Sequence, residues 1–313
     1  MSRAGRLATW LWKMWPPLVM VPSGLAHFFA IYWALQAIVR HTPLTVTWRA
    51  GCGAASVVLF SLLMRVYDEL KDVEADLALG RAGDPRYKDR PIVRGEVTVG
   101  DLVLLRWLTA ALLVVLNAPL GWPLPLAAFC AVFVLTWASF HWFFVPSISK
   151  SLLLAFATHN PISLAIAAYA VSVYAGDFGR ESLTPLAWLL LFGMWFPIAA
   201  WETSRKVRLP EEETDYQTYS KVLGIENAAL LPLLFVVMSA ACLTPIVRPA
   251  GLGGLYIGPL HGSAGLAAFA CIRLLFAPRP GRADLRKYVE PFVVIVNVGL
   301  AVALWLRHGV VPG

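Results

Sequence analysis

SLLMRVYDELKDVEAD, residues 61–76, begins in an apolar run and ends with five carboxylates in nine residues: Asp68, Glu69, Asp72, Glu74 and Asp76. Like charges at helical spacing repel one another. The fold must therefore meet these acids with water, with basic partners or with a cation. Upstream, residues 51–67 form an apolar run long enough to cross a bilayer, for which about 17–25 residues suffice.

The same signal recurs outward in both directions. Apolar runs lie near 15–38, 51–67, 100–117, 122–145, 151–174, 184–201, 227–246, 256–277 and 288–306. Pro16 and Pro17 either start or kink the first of them. Of 313 residues, 58% are hydrophobic and only 14% charged, against about 25% charged in a soluble domain. Backbone polar groups in lipid must be satisfied within the segment, and helices do this. The expected fold class is therefore all-α, a polytopic transmembrane bundle of about nine helices, forming a single domain over 1–313.

Charge placement tests the count. With the N-terminus inside, 21 of the 26 lysines and arginines fall on the inner side, and only Arg40, Arg49, Arg180, Arg248 and Arg307 fall outside. This bias favours an odd number of spans and a cytoplasmic N-terminus. The net charge of +7 is then met by anionic lipid and a phosphorylated substrate, and no nucleic acid is called for. No cleavable signal peptide is expected, since the first apolar run is too long. Cys52, Cys130, Cys242 and Cys271 all lie in spans without a Cys-x-x-Cys pair, and read as small core residues.

Nine of the 19 acids lie between Asp68 and Asp101 and six between Glu202 and Glu226, after the second and sixth spans. Both clusters fall at the same end. In the first, Asp68, Asp72 and Asp76 follow an i, i+4, i+8 rhythm and form one stripe if the helix continues, with Glu69 at its edge and Glu74 off the face. Carboxylate oxygens suit magnesium, which takes one or two of them and fills its shell with water and phosphate oxygens. The alternative is a solvated helix end whose acids pair with Lys71, Arg65 and later arginines. Downstream, RYKDRPIVRG (86–95) supplies Arg86, Lys88, Arg90 and Arg94, and arginine grips phosphate bidentately.

The second cluster reads WETSRKVRLPEEETDYQTYSKVLG (201–224). Glu202, Arg205 and Lys206 have helical spacing, and Glu211, Glu212, Glu213 and Asp215 follow Pro210. Either a second metal binds here, or Arg205 and Lys206 take the phosphate while the acids position them. Tyr216 and Tyr219 are candidates to close the cavity. Within the membrane, THNPIS (158–163) combines a proline break with His159 and Asn160, and polar groups in a span face protein or a cavity. Lys150 precedes that span at the inner mouth.

These residues resemble the UbiA superfamily of intramembrane prenyltransferases over nearly the whole chain. The resemblance implies nine helices around a central cavity, two aspartate-rich motifs at the cytoplasmic mouth, and magnesium-dependent use of a prenyl diphosphate. In the first motif, commonly Asn-Asp-x-x-Asp-x-x-x-Asp, Asp68 takes the Asn place, Glu69 the first Asp place, and Asp72 and Asp76 match. DRPIVRGEVT (89–98) resembles the arginine-proline segment that follows, and Lys150 the lysine before the fifth helix. The second motif departs: where Asp-x-x-x-Asp is usual, Glu202, Arg205, Lys206 and the acids 211–213 stand.

On this resemblance, Asp68, Glu69, Asp72, Asp76, Glu202 and Glu212 are the expected Mg2+ ligands, for two or more ions bridged by diphosphate. Asp68, Asp72, Asp76, Glu202 and Lys206 are expected to carry the chemistry, and Arg65, Arg90, Arg94, Lys150, Asn160, Arg205 and Tyr219 to bind substrate. The implied reaction moves an isoprenoid group to an aromatic or other lipophilic acceptor. The superfamily also contains membrane terpene cyclases, which need no acceptor. The setting expected is a bacterial inner membrane with the mouth cytoplasmic, membrane lipids as partners, and no obligate protein partner.

Overall fold

The computed structural model describes every residue except His41, Trp122, Phe143, Asp215 and Tyr216. Its helices, in chain order, are α1 (Arg3–Met14), α2 (Pro17–Ile38), α3 (Trp48–Arg81), α4 (Val99–Asn117), α5 (Leu124–Trp142), α6 (Pro146–Ser149), α7 (Leu152–His159), α8 (Pro161–Phe178), α9 (Leu186–Ser204), α10 (Tyr219–Leu223), α11 (Ile225–Val247), α12 (Gly254–Phe276), α13 (Arg286–Val294) and α14 (Leu300–His308). Among the described residues, nine helical segments are long and apolar enough to span a bilayer. The fifth is α7 with α8, broken at Asn160 where Pro161 removes a donor. The ninth is α13 with α14, joined through a π turn at Ile295–Gly299. Pro17 starts the first span at the N1 position, where its missing N–H costs nothing.

Hydroxyl side chains open several helices. Thr47 accepts from the amide of Ala50, and Thr98 and Asp101 form a reciprocal capping box at the head of α4. Asp101 is buried and also holds Arg3 and Arg6 of α1 at 3.0 and 2.7 Å. This ties the amphipathic α1, whose Trp10 is fully buried, to the end of the bundle that carries the N-terminus, here called the inner end.

Consecutive spans pack side by side, and the ninth returns to pack on the first. This closes a ring, with α2 and α8 both touching α3 and α9. The aromatic core runs through Phe28, Tyr32, Phe60, Phe129, Tyr169 and Tyr174. Close approaches need glycine: a Cβ at Gly53 would lie 2.7 Å from the Phe28 ring, and one at Gly193 2.7 Å from Leu243.

At the outer end, the Asp177 carboxylate accepts from Tyr32 and Thr47, each at 2.7 Å, with Arg49 at 3.5 Å. A small parallel pairing of β1 (Leu44–Val46) with β2 (Val310–Pro312) joins the first outer loop to the C-terminus. At the inner end, α3 does not stop at the bilayer. Its 34 residues span about 51 Å at 1.5 Å per residue, so about 20 Å projects beyond a 30 Å hydrocarbon core. That projection carries the acids.

Candidate active site at the inner end

Continuation of α3 through residue 81 places Asp68, Asp72 and Asp76 on one helix, as their spacing requires. Their surroundings differ. Asp68 and Asp72 are about half exposed and share Lys71, whose Nζ lies 2.9 Å from Asp68 Oδ1 and 3.2 Å from Asp72 Oδ2. Asp76 is buried and ion-paired with Arg90. Glu69 is buried and paired with Arg65 at 2.7 Å, while Arg65 Nε also donates to the Met14 carbonyl. Glu74 is exposed, as its position off the stripe predicts.

The loop after α3 is folded back onto it. A Cβ at Gly80 would sit 2.5 Å from Val93, so only glycine lets the 84–95 segment dock and bring Arg90 to Asp76. Arg86 donates from its backbone and guanidinium to Asp84, which holds that carboxyl down at about 2. Arg90 lies over the Tyr87 ring at 4.6 Å. Arg94 is exposed between Asp89 at 3.8 Å and Glu96 at 3.4 Å. Lys13 of α1 also bonds Glu96 at 2.6 Å, keeping that carboxyl below its ordinary range.

At the second mouth the triad that ends α9 carries the opposite excess of charge. Glu202 accepts from Arg205 Nε at 2.9 Å and from Lys206 Nζ at 2.7 Å, and Arg205 covers the Trp201 ring at 4.8 Å. The acids that follow serve the loop. Glu213 accepts from Thr218 at 2.6 Å and from Ser220 at 2.8 Å, and Glu212 accepts from the Leu209 amide at 3.3 Å. Asp215 and Tyr216 lie outside the described residues. Tyr219 is buried, its amide donates to the Lys206 carbonyl at 2.9 Å, and its ring meets Phe156 edge-on. The exposed Lys150 is brought to this loop by its carbonyl, which accepts from Gln217. Beside it, a cleft of about 360 Å³ is lined by Arg205, Arg208, Arg286, Glu212 and Asp284.

Asn160 stands apart from both mouths. Its side-chain oxygen accepts from Trp195 Nε1 at 2.7 Å at the break in the fifth span, and His159 bonds the Ser139 and Ala155 carbonyls. Four residues absent from the sequence expectations also join the inner half. Trp201 Nε1 donates to Glu290 at 3.2 Å, and His27 meets Asn297 at 2.6 Å. The available signal was a polar residue inside an apolar span, which points to a functional site by default.

Among the described residues, no three histidine, cysteine or acidic side chains converge as a metal cage. A magnesium ion shared with a diphosphate needs only one or two protein carboxylates. Asp68 and Asp72 meet that need, being exposed, all-oxygen and adjacent on one face. Glu69, also expected as a ligand, is buried beside the Trp10 indole and held by Arg65 at 2.7 Å. The set fits one ion at the first mouth better than a second at Glu202, whose oxygens are already engaged by two cations.

No curated protein sequence matches the chain. Its fold is similar to the apo structure of a UbiA homolog from Aeropyrum pernix K1, with a TM-score of 0.62 and 18% identity over 90% of this chain and 98% of that one. It is also similar to a structure of digeranylgeranylglyceryl phosphate synthase, with a TM-score of 0.59 and 14% identity over 96% and 98%. These likenesses speak for the fold. The model of the UbiA prenyltransferase family matches residues 25–296. With nine apolar helical segments and that match across most of its length, the chain belongs to the UbiA prenyltransferase family.

Proposed function

We propose that the chain is a magnesium-dependent enzyme that breaks the C1–oxygen bond of a prenyl diphosphate. The isoprenoid passes to an aromatic or other lipophilic acceptor, and diphosphate is released. The observation that carries this reading is the pairing, at one end of an apolar ring of helices, of a triad with a surplus carboxylate (Asp68, Lys71, Asp72) and a triad with a surplus cation (Glu202, Arg205, Lys206). An amphipathic donor needs both: oily walls for its tail and opposed charges for its head.

Asp68 and Asp72 would hold the magnesium, which when bound supplies positive charge to the departing diphosphate oxygens. Arg205 and Lys206 donate to the same oxygens, as charge-assisted bonds that strengthen while the C1–oxygen bond breaks. Glu202 orients those two cations. Arg65 and Arg90 pair with the buried Glu69 and Asp76 and offset part of the burial that raises both carboxyls above their ordinary range, and Arg94, Lys150 and Tyr219 rim the entrance. Apolar walls exclude water that would otherwise capture the cation. The basic bias supports a cytoplasmic position for this end, and a bacterial inner membrane is the setting we propose.

A second fate, closure of the cation on its own chain, is favoured by one observation: the polar pair His27 and Asn297 lies deeper than either mouth. The test is incubation of the purified protein in lipid nanodiscs with magnesium and ten- to twenty-carbon prenyl diphosphates, with and without membrane-lipid extract. Organic products are identified by mass spectrometry. Acceptor-dependent diphosphate release supports transfer. Absence of release with every donor, with or without extract, overturns the reading.

A further inference from the structure

The ninth span widens at Ile295–Gly299 into a π turn, a rare geometry concentrated at functional sites. Asn297 lies within it. Its Nδ2 donates to the Val293 carbonyl at 2.8 Å, and its Oδ1 sits 2.6 Å from His27 Nδ1. These two contacts decide where the imidazole proton is. An amide whose NH2 is aimed at a carbonyl presents its oxygen to its other partner, so His27 Nδ1 carries the hydrogen and donates it. A charged ring is disfavoured at this depth. The neutral ring then keeps its lone pair on Nε2.

That lone pair has no protein partner among the described residues, and His27 as a residue is only partly buried. His27 stands ten residues into α2, about 15 Å from its inner end. His27 faces the ninth span through Asn297, and the π turn, α8 and α9 pack against α2. Glu290, which accepts from Trp201 next to Glu202, precedes Asn297 by seven residues. The second mouth thus lies about 10 Å below His27 along the axis. A diphosphate held at the mouth places C1 near the mouth and later carbons of the chain near Nε2.

We propose that His27 is the proton acceptor that ends an acceptor-free reaction of this enzyme, and that Asn297 positions it. The proposal rests on ionisation at the mouth. The C1–oxygen electron pair leaves with diphosphate, and the π pair of a later double bond forms a carbon–carbon bond to C1. Positive charge now resides on a tertiary carbon deeper in the chain. His27 Nε2 takes a proton from the adjacent carbon, and the C–H pair becomes a new double bond. The products are a cyclic hydrocarbon, diphosphate and an imidazolium that returns its proton to water at the mouth.

The test uses the full chain in nanodiscs with magnesium and fifteen- or twenty-carbon prenyl diphosphate, without acceptor. Hydrocarbon and prenyl alcohol are counted per diphosphate released. In His27→Gln the hydrocarbon share is expected to fall about 100-fold, the size of a general-base contribution, with alcohol in its place. In Asn297→Leu the fall is about tenfold, as for a lost orienting partner. Release with an unchanged hydrocarbon share in His27→Gln overturns the proposal while leaving the mouth reading intact; no release in the wild type overturns both. Independent of folding of any variant, 15N resonance of the wild-type ring is expected to show protonated Nδ1 and bare Nε2. The reverse tautomer sinks the assignment.

Discussion

Each mouth opens with a charged triad at i, i+3 and i+4, and the two triads carry opposite charge. On α3, one lysine stands between two carboxylates, Asp68 and Asp72. On α9, one carboxylate, Glu202, stands between two cations. Each triad is only part-exposed, with Lys71, Lys206 and Glu202 mostly covered and Asp68 and Asp72 half open, so each pairing offsets the cost of burying a charge. What differs is the surplus charge: the first triad has a carboxylate to offer a metal, and the second has a cation to offer phosphate oxygens.

The largest expected effect falls on the surplus acid. Asp72→Asn should lower turnover by 100-fold or more, of the order seen for loss of one charge-stabilising group, and raise the magnesium needed for half-maximal rate. Normal kinetics at limiting magnesium would break the comparison on its first side. Next comes Lys206→Met, expected to raise KM for the prenyl diphosphate about tenfold, one charge-assisted contact, while leaving the magnesium requirement where it was. A shifted magnesium requirement would mean that the second mouth holds metal after all.

Glu202→Gln sharpens the same point with a smaller effect. An orienting carboxylate predicts a loss of only about fivefold, the ordinary net worth of one hydrogen bond, whereas a metal ligand predicts collapse of turnover. The weakest lever is acid. Asp84 has a depressed folded-state value of about 2, set chiefly by its bond from Arg86. Its contribution to loop order is complete above about pH 4, the ordinary aspartate value, and is lost as pH falls toward 2. Hydrogen exchange at Tyr87 and Lys88, whose amides donate to the Asp84 carbonyl, should stay slow down to about pH 4 and quicken below it.

The bundle was legible because lipid imposes long apolar runs, and hydropathy registers them directly. The break at Asn160 was legible from Pro161. The end of α3 was not: hydropathy closes the span near residue 67, while the helix runs to Arg81. Charged residues carry no apolar signal, and only the i, i+4, i+8 rhythm of the aspartates hinted at continuation. At the site, residue types and the end they occupy were visible, but partners were not. Nothing local says that Lys71 chooses Asp68 and Asp72 while Arg90 crosses to Asp76. His27 and Asn297, 270 positions apart, meet only because the last span closes the ring on the first, and no periodicity encodes that.

The unbroken course of α3 has one more consequence. A single rigid rod joins the outer surface to the carboxylates, with no joint between the part held by lipid and the part that carries charge. Surface loops can rearrange over the mouth, but the acids cannot rise or sink without the whole rod tilting. Tilt answers to hydrophobic mismatch. The height of Asp68 and Asp72 above the head groups is therefore set by the thickness of the surrounding membrane, through the same helix that presents them.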